Sequence, residues 1–479
     1  MDTDQECKAH CLILPHPTQG HINPMLQFAK RLTCKHIKVT LALTRFLLST
    51  TPGFSGGSIS VRAISDGFDE GGRAQAKSSD EYQARFQKIG QETLADLLQD
   101  LAGSGCPVDC VVYDPFMPWA LDVAKGLGLF AAAFFTQSCA VDNIYHHVYR
   151  GELELPLSGG EVVVPGLPAM RPDEMPSFIY DHGSYPGTFQ MVLNQFRNVD
   201  KADWIFINTF DELEEEVLEW MSRSLRVKAI GPAIPSMYLD KRLQDDREYD
   251  FTIFKPDTNA CKNWLNQRQP KSVIYVSFGS LAQLTAEQTL ELACALRACG
   301  NHFLWVVRSS EEAKLPENFS EETSEKGLIV SWCPQLEVLA HEAVACFITH
   351  CGWNSTLESL SLGVPIVGMP QWTDQSTNAK FVTEVWGTGI RAQADEEGLV
   401  RREEIVRCVK NVMEGEEGKV VSTNAAKWSS IARAAVDEGG SSDRNIEEFV
   451  RALTMNPRTG CMGTNPRLHD PEFESTSSS

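Results

Sequence analysis

Positive charge is scarce in this chain. Lys and Arg total 43 against 64 Asp and Glu, a formal net charge of −21 at pH 7. That excess repels phosphate backbones and anionic lipid, so no nucleic-acid partner and no acidic membrane surface is expected. A small anionic ligand stays open, because a helix N-terminus attracts an anion locally whatever the overall charge. Long apolar runs are also missing, and none approaches the ~20 residues of a membrane-spanning helix. The opening MDTDQECKAH has neither the basic start nor the apolar core of a secretory signal. The 14 cysteines are scattered, several of them inside apolar runs (Cys110, Cys139, Cys346). This suits buried free thiols better than a disulfide framework. Cys7 with Cys11, and Cys106 with Cys110, lack a matching Cys or His cluster, so no zinc site is expected. The single Asp-x-Asp, Asp2-Thr3-Asp4, lies at the extreme start, which leaves the globular part without a carboxylate pair of the metal-clamping kind.

What is present is an alternation of short apolar runs with amphipathic stretches. Expected strands are Cys11–Pro15, Lys38–Thr44, Ile59–Ser65, Cys110–Tyr113, Phe130–Phe135 and Trp204–Asn208. A second series runs Val273–Phe278, Phe303–Val307, Leu328–Ser331, Ala345–Thr349 and Pro365–Met369. Helical patterns such as Asp80–Leu101 and Ala286–Cys299 lie between them. Strands alternating with helices imply α/β architecture with parallel sheets covered on both faces, and two series imply two such domains. A chain of 479 residues, 42% hydrophobic, is long enough to give each its own core. The expected division is a first domain over 1–235, a charged, poorly periodic linker over 236–259, and a second domain over 260–440. A last helix over 441–454 and a disordered tail over 455–479 follow; the end of the tail, Asp-Pro-Glu-Phe and then serines, has the look of vector sequence.

The stretch Trp332 to Gln375 carries the most chemistry. The run Ala345–Thr349 breaks at His350-Cys351-Gly352. Asn354, Ser355 and Thr356 then precede Leu357, Glu358 and Leu360, which reads as a helix start. Unpaired N–H groups at such a start bind phosphate, and His350, Asn354 and Ser355 add side-chain donors. Glu358 lies one turn on, on the face of Asn354, and can accept from ribose hydroxyls. Trp332 offers a flat face for a base, and Asp374 and Gln375 offer groups suited to sugar hydroxyls. A glycan at the sequon Asn354-Ser355-Thr356 would block this phosphate site, which again favours the cytoplasm.

Two side chains in the first half fit the chemistry of group transfer. His21 follows the first strand and Asp114 follows the fourth. The carboxyl ends of parallel strands line the ligand crevice, so both side chains can face one cleft. A positioned His can remove an acceptor proton, worth about 10²–10⁴-fold in rate. A carboxylate on its other nitrogen fixes the tautomer and stabilises the imidazolium. The pattern Gly53-Phe54-Ser55-Gly56-Gly57 fits a hydrolase nucleophile elbow in letters only. It precedes a strand, so the strand–turn–helix context is missing.

The stretch Trp332–Gln375 closely resembles the nucleotide-sugar signature box of plant family-1 glycosyltransferases, which use UDP-sugars. HPTQGHINPMLQFAKRL near the start and VIYVSFGS at Val273–Ser280 stand where that family has them, and the likeness extends from Ala9 to Leu453. The N-terminal wording is similar to the branch of salicylate, auxin and steroid or terpenoid glucosyltransferases. The resemblance implies two Rossmann-like domains facing across a cleft (GT-B type), with the final helix returning to the first domain. It implies His21 as general base with Asp114 as its partner, and donor contacts from Ser280, Trp332, Gln335, His350, Trp353, Asn354, Ser355, Glu358, Asp374, Gln375 and Thr136. Gln at the last box position goes with glucose, whereas His often accompanies galactose. The implied reaction is inverting transfer of glucose from UDP-glucose to a hydroxyl or carboxylate of a small lipophilic acceptor such as a phenolic, flavonoid, terpenoid or steroid. No metal and no cofactor are implied beyond the donor, which is a co-substrate, and the protein is expected to be a cytoplasmic monomer. Phe116, Tyr145, Phe178, Phe189 and Met191 are candidates for an apolar acceptor wall.

Overall fold

Every expected strand forms, with ends displaced by a residue or two. In the computed structural model, which describes residues 8–51, 54, 56–243 and 246–455, the first series gives β1 (Ala9–Leu14), β2 (Ile37–Thr44), β3 (Ser60–Ile64), β4 (Cys110–Tyr113), β5 (Phe130–Phe135) and β6 (Trp204–Ile207). A short β7 (Val227–Ala229) joins them. The second series gives β8 (Val273–Ser277), β9 (His302–Val306), β10 (Gly327–Val330), β11 (Val344–Thr349) and β12 (Ile366–Gly368), with a short β13 (Gly389–Arg391). The two additional strands are three residues each and carry Lys228 and Arg391, too short and too charged to stand out as apolar runs. Asp2-Thr3-Asp4, Gly53 and Ser55 of the hydrolase-like pattern, and the tail from 456 lie outside the described residues.

The strands form a seven-stranded sheet in the order β3-β2-β1-β4-β5-β6-β7 and a six-stranded sheet in the order β10-β9-β8-β11-β12-β13, with all pairs parallel. Side chains alternate into cores on opposite faces. From β1, Cys11 and Ile13 enter one cluster, and Leu12 and Leu14 the other. From β8, Ile274 and Val276 go to one side, and Val273 and Tyr275 to the other. Burial on both faces explains why these strands read as continuous apolar runs.

Helices relevant to the site are α1 (Gln19–Cys34), α2 (Ser79–Gly103), α3 (Cys139–Tyr149), α4 (Pro186–Asn194), α5 (Gln335–Leu339), α6 (Trp353–Leu362), α7 (Gln375–Lys380) and α8 (Ser441–Met455). Ser78 caps α2 by accepting from the Glu81 N–H at 3.1 Å. Helix α8 seats on the first sheet. Phe449 packs against Phe206, Trp204 and Phe28, with ring centroids 5.0, 5.6 and 6.3 Å away. Ser442 donates to the Gly231 carbonyl at 2.5 Å and Asn445 to the Ala229 carbonyl at 2.8 Å.

The two sheets meet at a shared floor. The indole of Trp353 donates to the Asn208 carbonyl at 2.7 Å, and that of Trp386 to the Leu213 carbonyl at 3.0 Å. Strand order reverses between β1 and β4 in one sheet and between β8 and β11 in the other. Loops diverge at such points and open a crevice. The segments that follow β1 and β4 carry His21, in the first turn of α1, and Asp114; those that follow β8 and β11 carry Ser280 and His350 to Asn354, the last in the first turn of α6.

Candidate active site

His21 sits in the first turn of α1, and its backbone N–H is held by the Thr18 carbonyl at 3.0 Å. Asp114 directly follows β4, and its N–H donates to the Leu14 carbonyl of β1 at 2.9 Å. The neighbouring strands therefore set the distance between the two side chains. His21 Nδ1 lies 2.5 Å from Asp114 Oδ2, with the His side chain 19% exposed and the Asp 1%. The other oxygen, Oδ1, accepts from the Phe116 N–H at 3.0 Å. Burial alone would raise the Asp114 pKa. The His21 charge and hydrogen bond, together with the Phe116 N–H, outweigh burial and hold the carboxyl below its ordinary value. With Nδ1 committed to the carboxylate, Nε2 is the nitrogen that can take a proton from a substrate. Thr136, after β5, places Oγ1 3.1 Å from His21 Nδ1.

His16, which the sequence reading passed over, completes this corner. Its buried ring lies 5.3 Å from that of His21 and edge-on to Phe116 at 5.7 Å. Burial, reinforced by His21, pushes its pKa down to about 3, so it stays neutral and adds no charge beside the dyad.

Across the cleft, Gly352 precedes α6 and has no side chain to cap it, and the Trp353 N–H at the start of the helix bonds the Asp374 carboxylate. Asn354, in the first turn of the helix, shares a pocket with Gly279 and Ser280 of the loop after β8. The two loops pack closely around His350: a β-carbon on Gly279, at φ +70°, would stand 2.9 Å from the His350 ring, and one on Gly352 closer still. Burial lowers the His350 pKa to about 4, against a bond to the Ser277 carbonyl, which leaves a neutral imidazole. Asn354 turns its amide to the first sheet and donates to the Gly20 carbonyl at 2.8 Å.

One pocket is lined by Ser280, Trp332, Gln335, Asn354 and Glu358 together with Gly20. Within it the Glu358 carboxylate accepts from Gln335 Nε2 at 2.6 Å and from the Tyr249 hydroxyl at 2.8 Å. Gln335 also donates to Ser355 Oγ at 3.0 Å and accepts from the Tyr275 hydroxyl at 2.8 Å. Burial pushes the Glu358 pKa up to about 7, against the pull of Gln335 and Tyr249. The ring of Trp332 lies 4.5 Å from that of Phe254, tilted by 33°. Arg308 donates to the Ser280 and Ala282 carbonyls and holds the loop after β8. Neither Arg308 nor Tyr249 was singled out from sequence, where nothing local marks them.

At the end of the signature stretch, Asp374 is buried and accepts from Asn378 Nδ2 at 2.8 Å; burial raises its pKa. Gln375 Oε1 accepts from the Gln371 and Trp372 N–H groups at 2.9 and 3.1 Å. The loop is tied to the first half by Ser177, which exchanges hydrogen bonds with Thr373 at 2.7 and 2.8 Å. Trp353 is placed differently from the other donor candidates. Its indole is buried against Trp386, 6.0 Å away, and bonded to Asn208, and its backbone N–H bonds the Asp374 carboxylate.

The five acceptor candidates separate. Phe116 packs on His21 at 5.0 Å, and Phe178 meets the Trp372 edge at 5.9 Å. Phe189 and Met191 sit half-buried on α4, whereas Tyr145 on α3 lies wholly in the core with its hydroxyl unpartnered. None of the five lines the pocket between Trp332 and Glu358. Among the described residues no cluster of three His, Cys, Asp or Glu is arranged to hold a metal ion. Cys110, Cys139 and Cys346 are buried free thiols.

Comparison with known proteins agrees with this layout. Residues 76–435 match the family model described as UDP-glucoronosyl and UDP-glucosyl transferase. The chain is 50% identical over 446 residues to UDP-glycosyltransferase 74E2 of Arabidopsis thaliana, covering 92% of this chain and 98% of that one. It is 46% identical over 456 residues to the flavonol 7-O-beta-glucosyltransferase UGT74F1 of the same plant, covering 94% of this chain and 100% of that one. The crystal structure of Os79 from O. sativa in complex with UDP superposes with a TM-score of 0.88 at 42% identity, covering 92% of this chain and all of that one. With its two parallel sheets in GT-B arrangement, the chain belongs to the UDP-glucoronosyl and UDP-glucosyl transferase family and is a UDP-glycosyltransferase.

Proposed function

We propose that the chain transfers glucose from UDP-glucose, with inversion at the anomeric carbon, to a hydroxyl or carboxylate oxygen of a small lipophilic acceptor of the phenolic, flavonoid, terpenoid or steroid kind. The observation that carries the reading is the His21–Asp114 pair at 2.5 Å, with His21 on a helix whose Gly20 carbonyl is bonded to Asn354 of the donor helix. In this reading Trp332 and the Gln335 backbone meet the uracil, and Glu358 meets the ribose. The N-terminus of α6 with Ser280, His350 and Ser355 meets the diphosphate, and Thr136, Asp374 and Gln375 meet the glucose. An acceptor hydroxyl gives its proton to His21 Nε2 as its oxygen bonds to the anomeric carbon. The bond to the diphosphate breaks on the opposite face, and the leaving charge falls on the helix N-terminus, where a fixed positive potential stabilises it. An α-linked donor thereby yields a β-glucoside. Asp114 stabilises the imidazolium that forms.

The flavonol-glucosylating relative and the UDP-bound rice protein support this donor and an acceptor oxygen. No helix among the described residues is long and apolar enough to cross a membrane, and we take the protein as a cytoplasmic monomer that uses no metal. The test supplies UDP-glucose with a panel of such acceptors, follows UDP release, and reads the anomeric configuration by NMR. His21→Ala should keep its UDP affinity and lose about 10²–10⁴-fold in turnover on an alcohol. Near-normal turnover of that variant on an aliphatic alcohol, or an α-glucoside product, refutes the mechanism.

A further inference from the structure

The segment between the two sheets reads in sequence as a linker, yet residues 247–252 line the donor pocket. Tyr249 is the member of this strap that touches a donor residue, through its hydroxyl bond to Glu358 Oε1 at 2.8 Å. We infer that Tyr249 is a positioning residue of the donor site. Its phenol and the Gln335 amide each take one lone pair of the Glu358 carboxylate, and the lone pairs that remain are turned toward the two ribose hydroxyls. This inference rests on the reading of Glu358 as the ribose partner.

The geometry supports it in three ways. First, Glu358 is buried on α6 and has one donor on each oxygen, Tyr249 on Oε1 and Gln335 on Oε2. A carboxylate oxygen accepts about two hydrogen bonds, so one place remains on each for a vicinal diol. A carboxylate held from behind in this way binds its ligand without first losing rotational freedom.

Second, the strap is held in place on the far side. Lys30 Nζ bonds Asp246 Oδ1 at 2.6 Å, Asp250 Oδ2 at 2.5 Å and the Glu248 carbonyl at 3.1 Å, gripping residues on both sides of Tyr249. Asp250 adopts φ +64°, a left-handed conformation that a non-glycine residue takes where its surroundings impose it. Third, Lys30 lies on α1, the helix that begins beside His21. The strap therefore fixes the ribose-binding carboxylate relative to the helix that bears the base.

The experiment is a titration of the full chain with UDP by calorimetry, with steady-state kinetics on UDP-glucose. Tyr249→Phe deletes the hydroxyl and keeps the ring. It should weaken UDP and raise KM for UDP-glucose on the order of tenfold, with the loss in KM rather than in kcat. In a Glu358→Ala background the same change should cost nothing further, because the phenol acts through that carboxylate. Lys30→Met, which loosens the strap, should move KM in the same direction by less. UDP binding in Tyr249→Phe that is unchanged or tighter would overturn the inference, the tighter result meaning that ribose displaces the phenol. An undiminished Tyr249→Phe penalty in the Glu358→Ala background overturns it equally. Normal UDP affinity in Glu358→Ala alone would instead remove the ribose reading of Glu358, so the two failures are distinct.

Discussion

Asn354, in the first turn of the donor helix, donates its side-chain amide to the carbonyl of Gly20, the residue before His21, at 2.8 Å. Base and donor helix are thus joined by one hydrogen bond across the cleft. A small misplacement between reacting groups costs rate steeply. Asn354→Ala is expected to lower kcat/KM by about tenfold, the value of one buried hydrogen bond and its unpaired carbonyl. Asn354→Asp is expected to be worse, because it sets a carboxylate against the Gly20 carbonyl and beside the diphosphate. Kinetics of both variants with one acceptor check the order. An Asp variant more active than the Ala variant would contradict the role of the amide as a donor.

Glu358 predicts a proton linkage. Its pKa is raised to about 7 by burial. Below the ordinary carboxylate range the group is protonated whether folded or unfolded. Between the ordinary carboxylate range and about 7, the unfolded chain holds fewer protons than the folded one, so the contribution to stability is fully present below that window and lost as pH rises through it. Ribose hydroxyls donate to the ionised form and pull the pKa back down. UDP binding near pH 7 is therefore expected to release a fraction of a proton, read as a dependence of the calorimetric heat on buffer ionisation enthalpy. The release should vanish in Glu358→Gln. Proton uptake instead of release would contradict the contact.

Most strands were legible because they bury both faces and so appear as uninterrupted apolar runs; β3, with Arg62 and Ala63 exposed, is an exception. The donor stretch was legible because strand, turn and helix start follow one another within Trp332–Gln375 and need no long-range contact to be recognised. His21 and Asp114, 93 residues apart, became a pair once both were placed at strand ends. Tyr249 stands 109 residues from the carboxylate it holds and sits in a charged segment without period, so no local pattern points to it. His16 is another such case. Its role depends on packing against Phe116 and His21, which is a property of the folded corner. Trp353 shows the converse, since its place in the signature stretch gave no sign that its indole anchors the floor between the sheets.

The donor helix also bears on metal dependence. In enzymes that clamp a diphosphate with a cation, carboxylates hold the metal. In the proposed reading the diphosphate end is served by the N-terminus of α6, the neutral His350 and the Ser280 loop held by Arg308. Turnover is expected to survive an excess of EDTA without change in KM for UDP-glucose. Loss of activity on chelation, restored by Mg²⁺ or Mn²⁺, would show that the helix terminus does not suffice.

In the proposed reading donor choice rests on Gln375. Its Oε1 is occupied by the N–H groups of Gln371 and Trp372, which fixes the amide and leaves Nε2 as the end that donates to a sugar hydroxyl. Asp374 beside it, with one oxygen bonded to Asn378 and the other to the Thr373 hydroxyl, supplies the acceptor through the lone pairs that remain. Glucose and galactose differ in the orientation of one hydroxyl, so a donor and an acceptor fixed this firmly satisfy one epimer and leave the other with an unpaired group. That mismatch costs about 1–3 kcal/mol, roughly tenfold or more in kcat/KM. UDP-glucose is therefore expected to be preferred over UDP-galactose by at least that factor. Gln375→Ala should reduce glucose transfer far more than UDP affinity, because in the proposed reading the nucleotide is held elsewhere, at Trp332 and Glu358. Gln375→His, which exchanges the fixed amide for a shorter ring that the two backbone N–H groups cannot hold in the same way, should narrow the preference. Competition between the two donors with a single acceptor reads the ratio directly, and equal values for the unsubstituted protein would refute the assignment.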